Sequence, residues 1–324
     1  MTETSKRRGR GGLLAWLQLC RAPNAFTAVA DVMMGYLVAR GNWEPAIPFV
    51  LLVLAGAALY TAGIVLNDLF DIDIDRRERP ERPLPSGRVS VRAARRLGVG
   101  LLAAGCALAA AAPRASPAFD GSPWLPGAVA AVLVAAIVAY DVAAKDTWLG
   151  PFVMGSCRAL NALLGMSVAS IDDSTGRLPW AAEHLCVAIG LGVYVAGITW
   201  FGRSEAGTSR RARLAAGLTL MIAGWVLVAR LPSLVSPHAV ARIPVTEVWY
   251  LLLALLGIPV LRRAFAAITR PDSRRVQLAV RQAIWSIIWL DAAVAIVVAP
   301  PVFALTIAGL FLPMILLGRW VYST

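Results

Sequence analysis

Residues 49–87 read FVLLVLAGAALYTAGIVL and then NDLFDIDIDRRERPERPLPSG, and this passage decides the fold. Its first eighteen residues carry no charge. A run of that length is close to the roughly 20 apolar residues that cross a bilayer as a helix. Six acidic residues then fall within the fourteen positions from Asp68 to Glu81. The passage therefore predicts a membrane-spanning helix that ends in a cluster of like charges.

The whole chain has the composition of a membrane protein. Of its 324 residues, 58% are hydrophobic and 15% are charged, whereas soluble domains have about 45–50% and about 25%. We predict an all-α, polytopic membrane helical bundle of nine to ten transmembrane helices, because Pro300 and Pro301 leave the division of the last two open. The predicted spans are 24–40, 46–67, 94–112, 125–141, 149–171, 181–201, 214–232, 246–265, 283–299 and 301–318.

The basic residues divide unequally between the two sides of this bundle. With the N-terminus inside, 26 of the 31 lysine and arginine residues fall on the inner side. Positively charged loops face the cytoplasm. We therefore predict an integral protein of the cell (inner) membrane, with a basic cytoplasmic segment at 1–23 and a single transmembrane domain at 24–320. The active-site loops are predicted to face the cytoplasm.

The distribution of charge also bears on possible partners. The net charge of +12 could suggest nucleic acid. The charges are scattered over short loops, however, and give no continuous basic face of the kind that binds a nucleic acid. We therefore predict membrane lipid as a partner, no nucleic acid and no obligate protein partner.

The acidic cluster has the spacing of one helical face. Asn67, Asp71 and Asp75 lie four residues apart, and Asp68 flanks the same face if the helix continues one or two turns. Such side chains repel one another unless a cation lies between them. Mg²⁺ takes oxygen ligands and shares them with substrate phosphates. The pattern predicts a Mg²⁺ site, with a solvated loop that only enforces topology as the alternative.

A loop rich in arginine and proline follows the acids. Guanidinium groups match phosphate oxygens with two parallel hydrogen bonds, and the prolines prevent further helix. Metal-binding carboxylates beside such a loop predict a diphosphate site at the membrane surface. The expected diphosphate ligands in this loop are Arg76, Arg77 and Arg82.

A second inner loop carries further polar groups. Tyr140 and Lys145 follow the fourth predicted span, and Arg158 and Asn161 share a face of the next, otherwise apolar helix. Ionisable groups at membrane depth usually face the bundle interior and mark a functional site. We predict that Arg158 and Asn161 contact the diphosphate, with a structural hydrogen bond between helices as the alternative.

Two acidic residues also lie in predicted spans. Asp31 and Asp291 would each cost about 2.5–3.5 kcal/mol at a helix centre on insertion scales. Structural pairing inside the bundle is the favoured interpretation of both. Arg281 or a basic residue of another helix is the expected partner of Asp291.

Asn67-Asp68-x-x-Asp71-x-x-x-Asp75, followed by Arg82-Pro83-Leu84-Pro85-Ser86-Gly87, resembles the first aspartate-rich motif of the UbiA superfamily of intramembrane prenyltransferases. Tyr140 and Lys145 resemble its Tyr-x-x-x-x-Lys element. The resemblance implies a helical bundle around a central lipid-accessible cavity, with Mg²⁺ on the aspartate motifs. By this resemblance the catalytic residues are Asp71, Tyr140 and Lys145, the metal ligands include Asn67, Asp68, Asp71 and Asp75, and Lys145, the arginines and Arg21 hold the diphosphate.

The second motif of that superfamily is altered here. It places an Asp-x-x-x-Asp sequence at the inner end of the sixth span, where this chain reads YVAGITWFGRSEAGTSRR at 194–211, without an aspartate. Glu205 is the expected carboxylate ligand there, and Arg203 is expected to bind the diphosphate. The change suggests a divergent branch such as the Ebo group of bacterial secondary-metabolite gene clusters.

These expectations define the predicted function. The protein would transfer a prenyl group, with Mg²⁺, from an isoprenoid diphosphate to an aromatic or other small lipophilic acceptor within the membrane. The alternative is a catalytically reduced protein that binds or transports a polyprenyl-linked metabolite. An ion-coupled transporter is disfavoured, because the two halves of the chain lack symmetrically placed broken helices.

Overall fold

The computed structural model describes residues 12–169, 180–203, 211–235 and 246–321, which form a bundle of helices. Eight of the helical segments in these ranges are long and apolar enough to cross a membrane. Two further helices, α2 and α7, have 19 and 17 residues and carry Asp31 and Arg158. The all-α membrane bundle is thus confirmed. The helices are α1 (12–19), α2 (Ala22–Arg40), α3 (Ala46–Phe70), α4 (Ile72–Glu78), α5 (Val91–Ala111), α6 (Leu125–Ala139), α7 (Gly150–Met166), α8 (Ala182–Gly202), α9 (Arg211–Ala229), α10 (Thr246–Thr269), α11 (Ser273–Val298), α12 (Pro301–Gly309) and α13 (Phe311–Val321).

The last predicted spans differ from the helices in their limits. α11 begins well before the predicted start at 283, because Asp272 caps it: its carboxylate accepts a hydrogen bond from the backbone N–H of Arg275 at 2.9 Å. This hydrogen bond holds the pKa of Asp272 below its usual range. α12 and α13 together form one segment of membrane length, Pro301–Val321.

α2 and α7 approach each other closely through glycines. A Cβ on Gly35 would overlap the carbonyl oxygen of Ala162, and a Cβ on Gly165 would overlap that of Val32. Small residues allow helix backbones to approach closely inside membranes. The approach brings Asp31 on α2 within reach of the polar side chains of α7.

Replacing Gly35 with alanine is expected to destabilise this contact by at least about 1–3 kcal/mol, because an overpacked core costs this much and a backbone oxygen cannot rotate away. Thermal unfolding of the detergent-purified protein would show a melting temperature lowered by several degrees. Gly100→Ala on α5 is the matched control, since a Cβ there meets no atom within 4 Å. Equal melting temperatures for Gly35→Ala and the parent protein would contradict the prediction.

Candidate active site

The helical path continues beyond the C-terminal end of α3, which is the condition under which the sequence places the acids on one face. The backbone N–H groups of Asp71 and Asp75 donate to the carbonyls of Asn67 and Asp71, at 3.0 and 2.8 Å, so α4 prolongs α3 with a slight irregularity at Asp71. Asp68 and Asp75 are buried, whereas the side chain of Asp73 is 75% exposed. The 3.6-residue period thus separates inward carboxylates from an outward one.

The proline-rich loop returns Arg82 to the buried acids. Arg82 Nη1 lies 2.7 Å from Asp75 Oδ2 and 3.7 Å from Asp68 Oδ1. The Ser86 hydroxyl donates to the Arg82 carbonyl at 2.6 Å, and Gly87 has φ 73°, a left-handed conformation that favours glycine. The turn therefore holds Arg82 against the acids.

Arg21 reaches the same acids from the turn between α1 and α2. Its Nη2 lies 2.9 Å from Asp68 Oδ1. Its backbone has φ 41° and ψ 48°, a left-handed conformation that residues with a side chain seldom adopt. Such strain is found preferentially at functional positions. The structure thus brings Arg21 to the acidic cluster.

The C-terminal end of α6 widens into a π-turn over Tyr140–Ala144. The backbone N–H of Lys145 donates to the Tyr140 carbonyl at 2.9 Å, five residues back. π-turns inside helices occur frequently at functional sites. The Lys145 ammonium pairs with Asp71, and the Arg203 guanidinium donates to the Lys145 carbonyl. This network joins the ends of α3, α6 and α8.

Asp141 belongs to this cluster, although no motif in the sequence predicted a role for it. It is 3% exposed, and its Oδ1 accepts a hydrogen bond from Asn67 Nδ2 at 3.0 Å. Its Oδ2 has no hydrogen-bond partner among the described residues. Asp71 and Lys145 are among its charged neighbours. The sequence did contain a signal for Asp141. An acidic residue at the end of an apolar span costs free energy in the membrane, so such residues usually have a functional role.

These groups surround one end of a cavity of about 510 Å³ at the centre of the bundle. Its walls come from α2, α3, α6, α7, α8 and α11. The volume lies in the range of small-ligand sites, about 300–1,000 Å³. Arg21, Asn67, Tyr140, Asp141 and Arg203 line the polar end. Asp68, Arg82, Asp71 and Lys145 do not line it but are linked to these residues by ion pairs and hydrogen bonds. We call both groups together the mouth. The apolar lining includes Leu133, Ile137, Met154, Val195, Ile198, Ile284 and Ile287.

A second polar cluster lies in the cavity wall. Arg158 Nε is 2.8 Å from Asp31 Oδ2, and Asn161 Nδ2 donates to Asp31 Oδ2 and to the carbonyl of Ala28, both at 2.9 Å. The buried Asp291 lies close enough to Asp31 for their carboxyl groups to interact. The favoured structural pairing is confirmed for Asp31. For Arg158 and Asn161 the structure shows the alternative interpretation, a contact between helices, because both side chains pair with residues of α2.

Some predicted residues are not brought to the cavity. Arg76 pairs with Asp73 at 2.8 Å on the exposed side of α4, and Arg77 is also exposed. These two side chains lie away from the cavity because the helix continues and its period turns them outward; their contact with the diphosphate stays a prediction. Arg281 does not pair with Asp291; its guanidinium lies 5.2 Å from the centre of the Trp285 ring. Glu205 lies outside the described residues.

The four cysteines form no disulfide bond with one another. Cys20, Cys106, Cys157 and Cys186 are free thiols. Burial, and then the nearby Asp68 carboxylate, raises the pKa of the Cys20 thiol. This thiol therefore stays protonated at neutral pH, whereas a metal ligand would be a thiolate.

The donor set at the mouth fits Mg²⁺. Asn67, Asp68, Asp71 and Asp141 can offer oxygen atoms, which hard divalent cations take, and the unpartnered Asp141 Oδ2 is a buried oxygen that a cation would satisfy. Within the described ranges, no three Asp, Glu, His or Cys side chains converge as a complete metal site. Asp68, Asp71 and Asp75 are each paired with a basic side chain, and Asp141 is paired with the Asn67 amide. These oxygen donors would therefore fill only part of the coordination shell of Mg²⁺, and substrate phosphates and water would complete it.

Similarity to known proteins agrees with this architecture. Residues 28–277 match the UbiA prenyltransferase family. The chain belongs to this family. The resemblance to the UbiA superfamily that the first aspartate-rich motif indicated is thus confirmed, and the match extends over most of the chain.

Relatives of this UbiA-family chain include archaeal digeranylgeranylglyceryl phosphate synthases. The protein of Sulfolobus acidocaldarius is 40% identical over 91 residues, which is 28% of this chain and 33% of that protein. The protein of Ignicoccus hospitalis is 34% identical over 174 residues, or 53% and 50% of the two chains. The chain thus spans between a third and a half of the length of these curated relatives.

Solved structures share the fold. A UbiA homologue from Aeropyrum pernix K1 aligns over 83% of this chain and 96% of its own, with a TM-score of 0.63 and 20% identity. A digeranylgeranylglyceryl phosphate synthase structure aligns over 89% and 98%, with a TM-score of 0.59 and 19% identity. These likenesses support the UbiA-like helical bundle of an integral membrane protein.

Proposed function

We propose that this protein transfers a prenyl group from an isoprenoid diphosphate to a lipophilic acceptor inside the membrane. One observation carries the proposal: a single cavity of about 510 Å³ has cationic and carboxylate groups at its mouth and apolar walls behind them. A polar end of this kind fits a diphosphate, and the apolar interior fits an isoprenoid chain. Membership in the UbiA prenyltransferase family supports the same reaction class.

The mouth residues would divide into two groups. Arg21, Arg82, Arg203 and Lys145 would bind the diphosphate, which would replace the carboxylates as their partner. Asn67, Asp68, Asp71 and Asp141 would hold Mg²⁺, which when bound neutralises negative charge on phosphate oxygens. Asp75, which the sequence also predicts as a metal ligand, is buried and paired with Arg82 and Arg79, and we assign it instead the role of orienting these arginines.

The proposed reaction uses the two ends of the cavity differently. The allylic C–O bond breaks, diphosphate leaves with the bonding electrons, and a nucleophilic atom of the acceptor bonds to the allylic carbon and then loses a proton. Arginine and lysine donors at the mouth stabilise the charge that develops on the diphosphate. Tyr140 at the mouth offers a ring that can stabilise an allylic cation. The apolar walls exclude water, which would otherwise capture that cation.

The proposal also covers the chemical class of the acceptor and the orientation of the protein in the membrane. An aromatic or other small lipophilic acceptor fits the apolar cavity. The name of the relatives supports a glyceryl phosphate lipid as a further acceptor class. The unequal distribution of lysine and arginine supports a mouth that opens to the cytoplasm.

The reaction can be tested with the purified full chain, geranylgeranyl diphosphate, Mg²⁺ and a panel of acceptors that includes phenols and a geranylgeranylated glyceryl phosphate. We expect diphosphate release and a prenylated product with at least one acceptor, and loss of both when a chelator removes Mg²⁺. Tight binding of the allylic diphosphate without turnover across the panel would instead favour the alternative, a protein that binds or transports a polyprenyl-linked metabolite.

A further inference from the structure

Arg158 and Asn161 form a polar patch in the cavity wall that the proposed diphosphate site does not use. Both line the cavity, and both are more than nine-tenths buried. Arg158 follows the start of α7 at Gly150 by eight residues, so its Cα lies about 12 Å along the helix at 1.5 Å per residue. The patch is therefore inside the membrane-embedded part of the bundle.

The charge of Arg158 is already compensated. Asp31 Oδ2 lies 2.8 Å from Arg158 Nε, and the carboxyl group of Asp291 lies close to that of Asp31. If the two carboxyl groups share one proton, the three side chains together are neutral. If neither holds a proton, their net charge is −1. With at least one carboxylate ionised, which the 2.8 Å contact between Arg158 Nε and Asp31 Oδ2 favours, the patch presents no net positive charge to a ligand.

Arg158 nevertheless keeps an open hydrogen-bond donor. Its Nη2 has no hydrogen-bond partner in the part of the chain that the structure describes. A buried donor without a partner costs about 1–3 kcal/mol, so an acceptor atom from a ligand is favoured there. The Arg158 guanidinium lies 5.7 Å from the centre of the Tyr60 ring, which also lines the cavity. Asn161 Nδ2 is occupied by Asp31 and Ala28, so this amide fixes Asp31 in place.

We propose that Arg158 and Tyr60 form the subsite for the head of the prenyl acceptor, and that this head presents an uncharged oxygen atom: a hydroxyl, carbonyl or ether. An uncharged oxygen accepts a hydrogen bond from Nη2 at little cost in hydration. A carboxylate or phosphate would lose its hydration without gaining a net opposite charge. This inference rests on the proposed function and specifies its acceptor. The allylic carbon lies toward the mouth, and the nucleophilic atom of the acceptor faces it from this subsite.

Two phenols of similar size provide the test: methyl 4-hydroxybenzoate, which is neutral, and 4-hydroxybenzoate, which is an anion. Binding of each to the purified full chain is measured by titration calorimetry. We expect the ester to bind at least about tenfold more tightly than the acid, a difference of about 1.4 kcal/mol. Asp31→Asn combined with Asp291→Asn leaves Arg158 uncompensated without a change in shape. This double variant is expected to shift the ratio toward the acid by about tenfold or more.

Control measurements separate this inference from the proposed function. Asp73→Asn makes the same chemical change on the exposed side of α4 and is expected to leave the ratio unchanged. Binding of geranylgeranyl diphosphate to the parent protein tests the prenyltransferase proposal alone, and its absence would overturn that proposal whatever the phenols do. If the diphosphate binds but the acid binds as well as the ester, or neither phenol binds, the acceptor subsite is overturned.

A second variant covers the case in which the double aspartate variant does not fold. Arg158→Gln combined with Asp31→Asn removes both charges and shortens the donor side chain. We expect it to bind geranylgeranyl diphosphate normally and to bind the ester about tenfold more weakly than the parent protein. Unchanged affinity for the ester would overturn the role of Arg158.

Discussion

Asp71→Asn is expected to lower the rate of prenyl transfer by about 10²–10³-fold, the size of effect seen when one preorganised electrostatic contact is removed from an active site. Asp71 lies at the junction of α3 and α4 and pairs with Lys145. Asparagine keeps the shape and one oxygen for Lys145, so the fold should persist, but it removes the charge that a divalent cation requires. Single-turnover release of diphosphate from geranylgeranyl diphosphate with saturating acceptor measures the effect.

Asp73→Asn is the matched control for this experiment. It makes the same substitution two residues along the chain, on a side chain that is 75% exposed and pairs only with Arg76 among the contacts that the structure describes. Exposed changes of this kind alter free energies by no more than about 0.5 kcal/mol, so the rate should stay within about twofold. Equal losses in the two variants would show that the effect is one of general surface charge. A rate for Asp71→Asn close to that of the parent protein would remove Asp71 from the catalytic site.

The directions of the acidic side chains could be predicted from the sequence because they follow from a local period. Residues four apart share a helical face, so Asp71 and Asp75 had to point the same way once the helix continued. The same period turns Arg76 and Arg77 outward. Their outward direction was not predicted because the arginines were treated as part of a loop, whereas α4 runs as far as Glu78.

The partners of the acids depend on packing between distant segments. Arg21 is 47 residues from Asp68, and Lys145 is 74 residues from Asp71. No local pattern specifies such pairs; the resemblance to a family placed Arg21 and Lys145 near the site. The approach of Asp31 and Asp291 likewise depends on which faces of α2 and α11 meet, and the span pattern alone left Arg281 open as a partner of Asp291.

The π-turn of α6 explains why Asp141 was missed. A regular helix would make Asp141 an isolated acid at the end of an apolar span, and nothing in the spacing links it to Asn67. The widened turn and the approach of α3 create that link in the folded chain. Glu205, the carboxylate predicted from the altered second motif, stays a prediction.

Asp141→Asn is therefore expected to weaken divalent cation binding by about 10–100-fold, the effect typical of losing a group that ligates or orients ligands at a metal site. Residues 194–211 contain no aspartate, so Asp141 is the carboxylate best placed to complete the oxygen donors at the mouth. The measurement is Mn²⁺ binding followed by electron paramagnetic resonance, with a non-hydrolysable allylic diphosphate analogue present. Because the readout is affinity, it does not depend on turnover.

Asp146→Asn provides the matched control, since Asp146 is exposed in the loop after the π-turn. Its Mn²⁺ affinity should equal that of the parent protein. A purely structural role for Asp141, as a support for Asn67, predicts a different result: a lower melting temperature with unchanged Mn²⁺ affinity. That outcome would show that Asp141 is not a metal ligand. The carboxylate ligands would then be those of the first aspartate-rich motif and Glu205. Weakened Mn²⁺ affinity at an unchanged melting temperature would instead show that Asp141, at the end of α6, ligates the cation. The UbiA resemblance predicts carboxylates with that role at the end of α8.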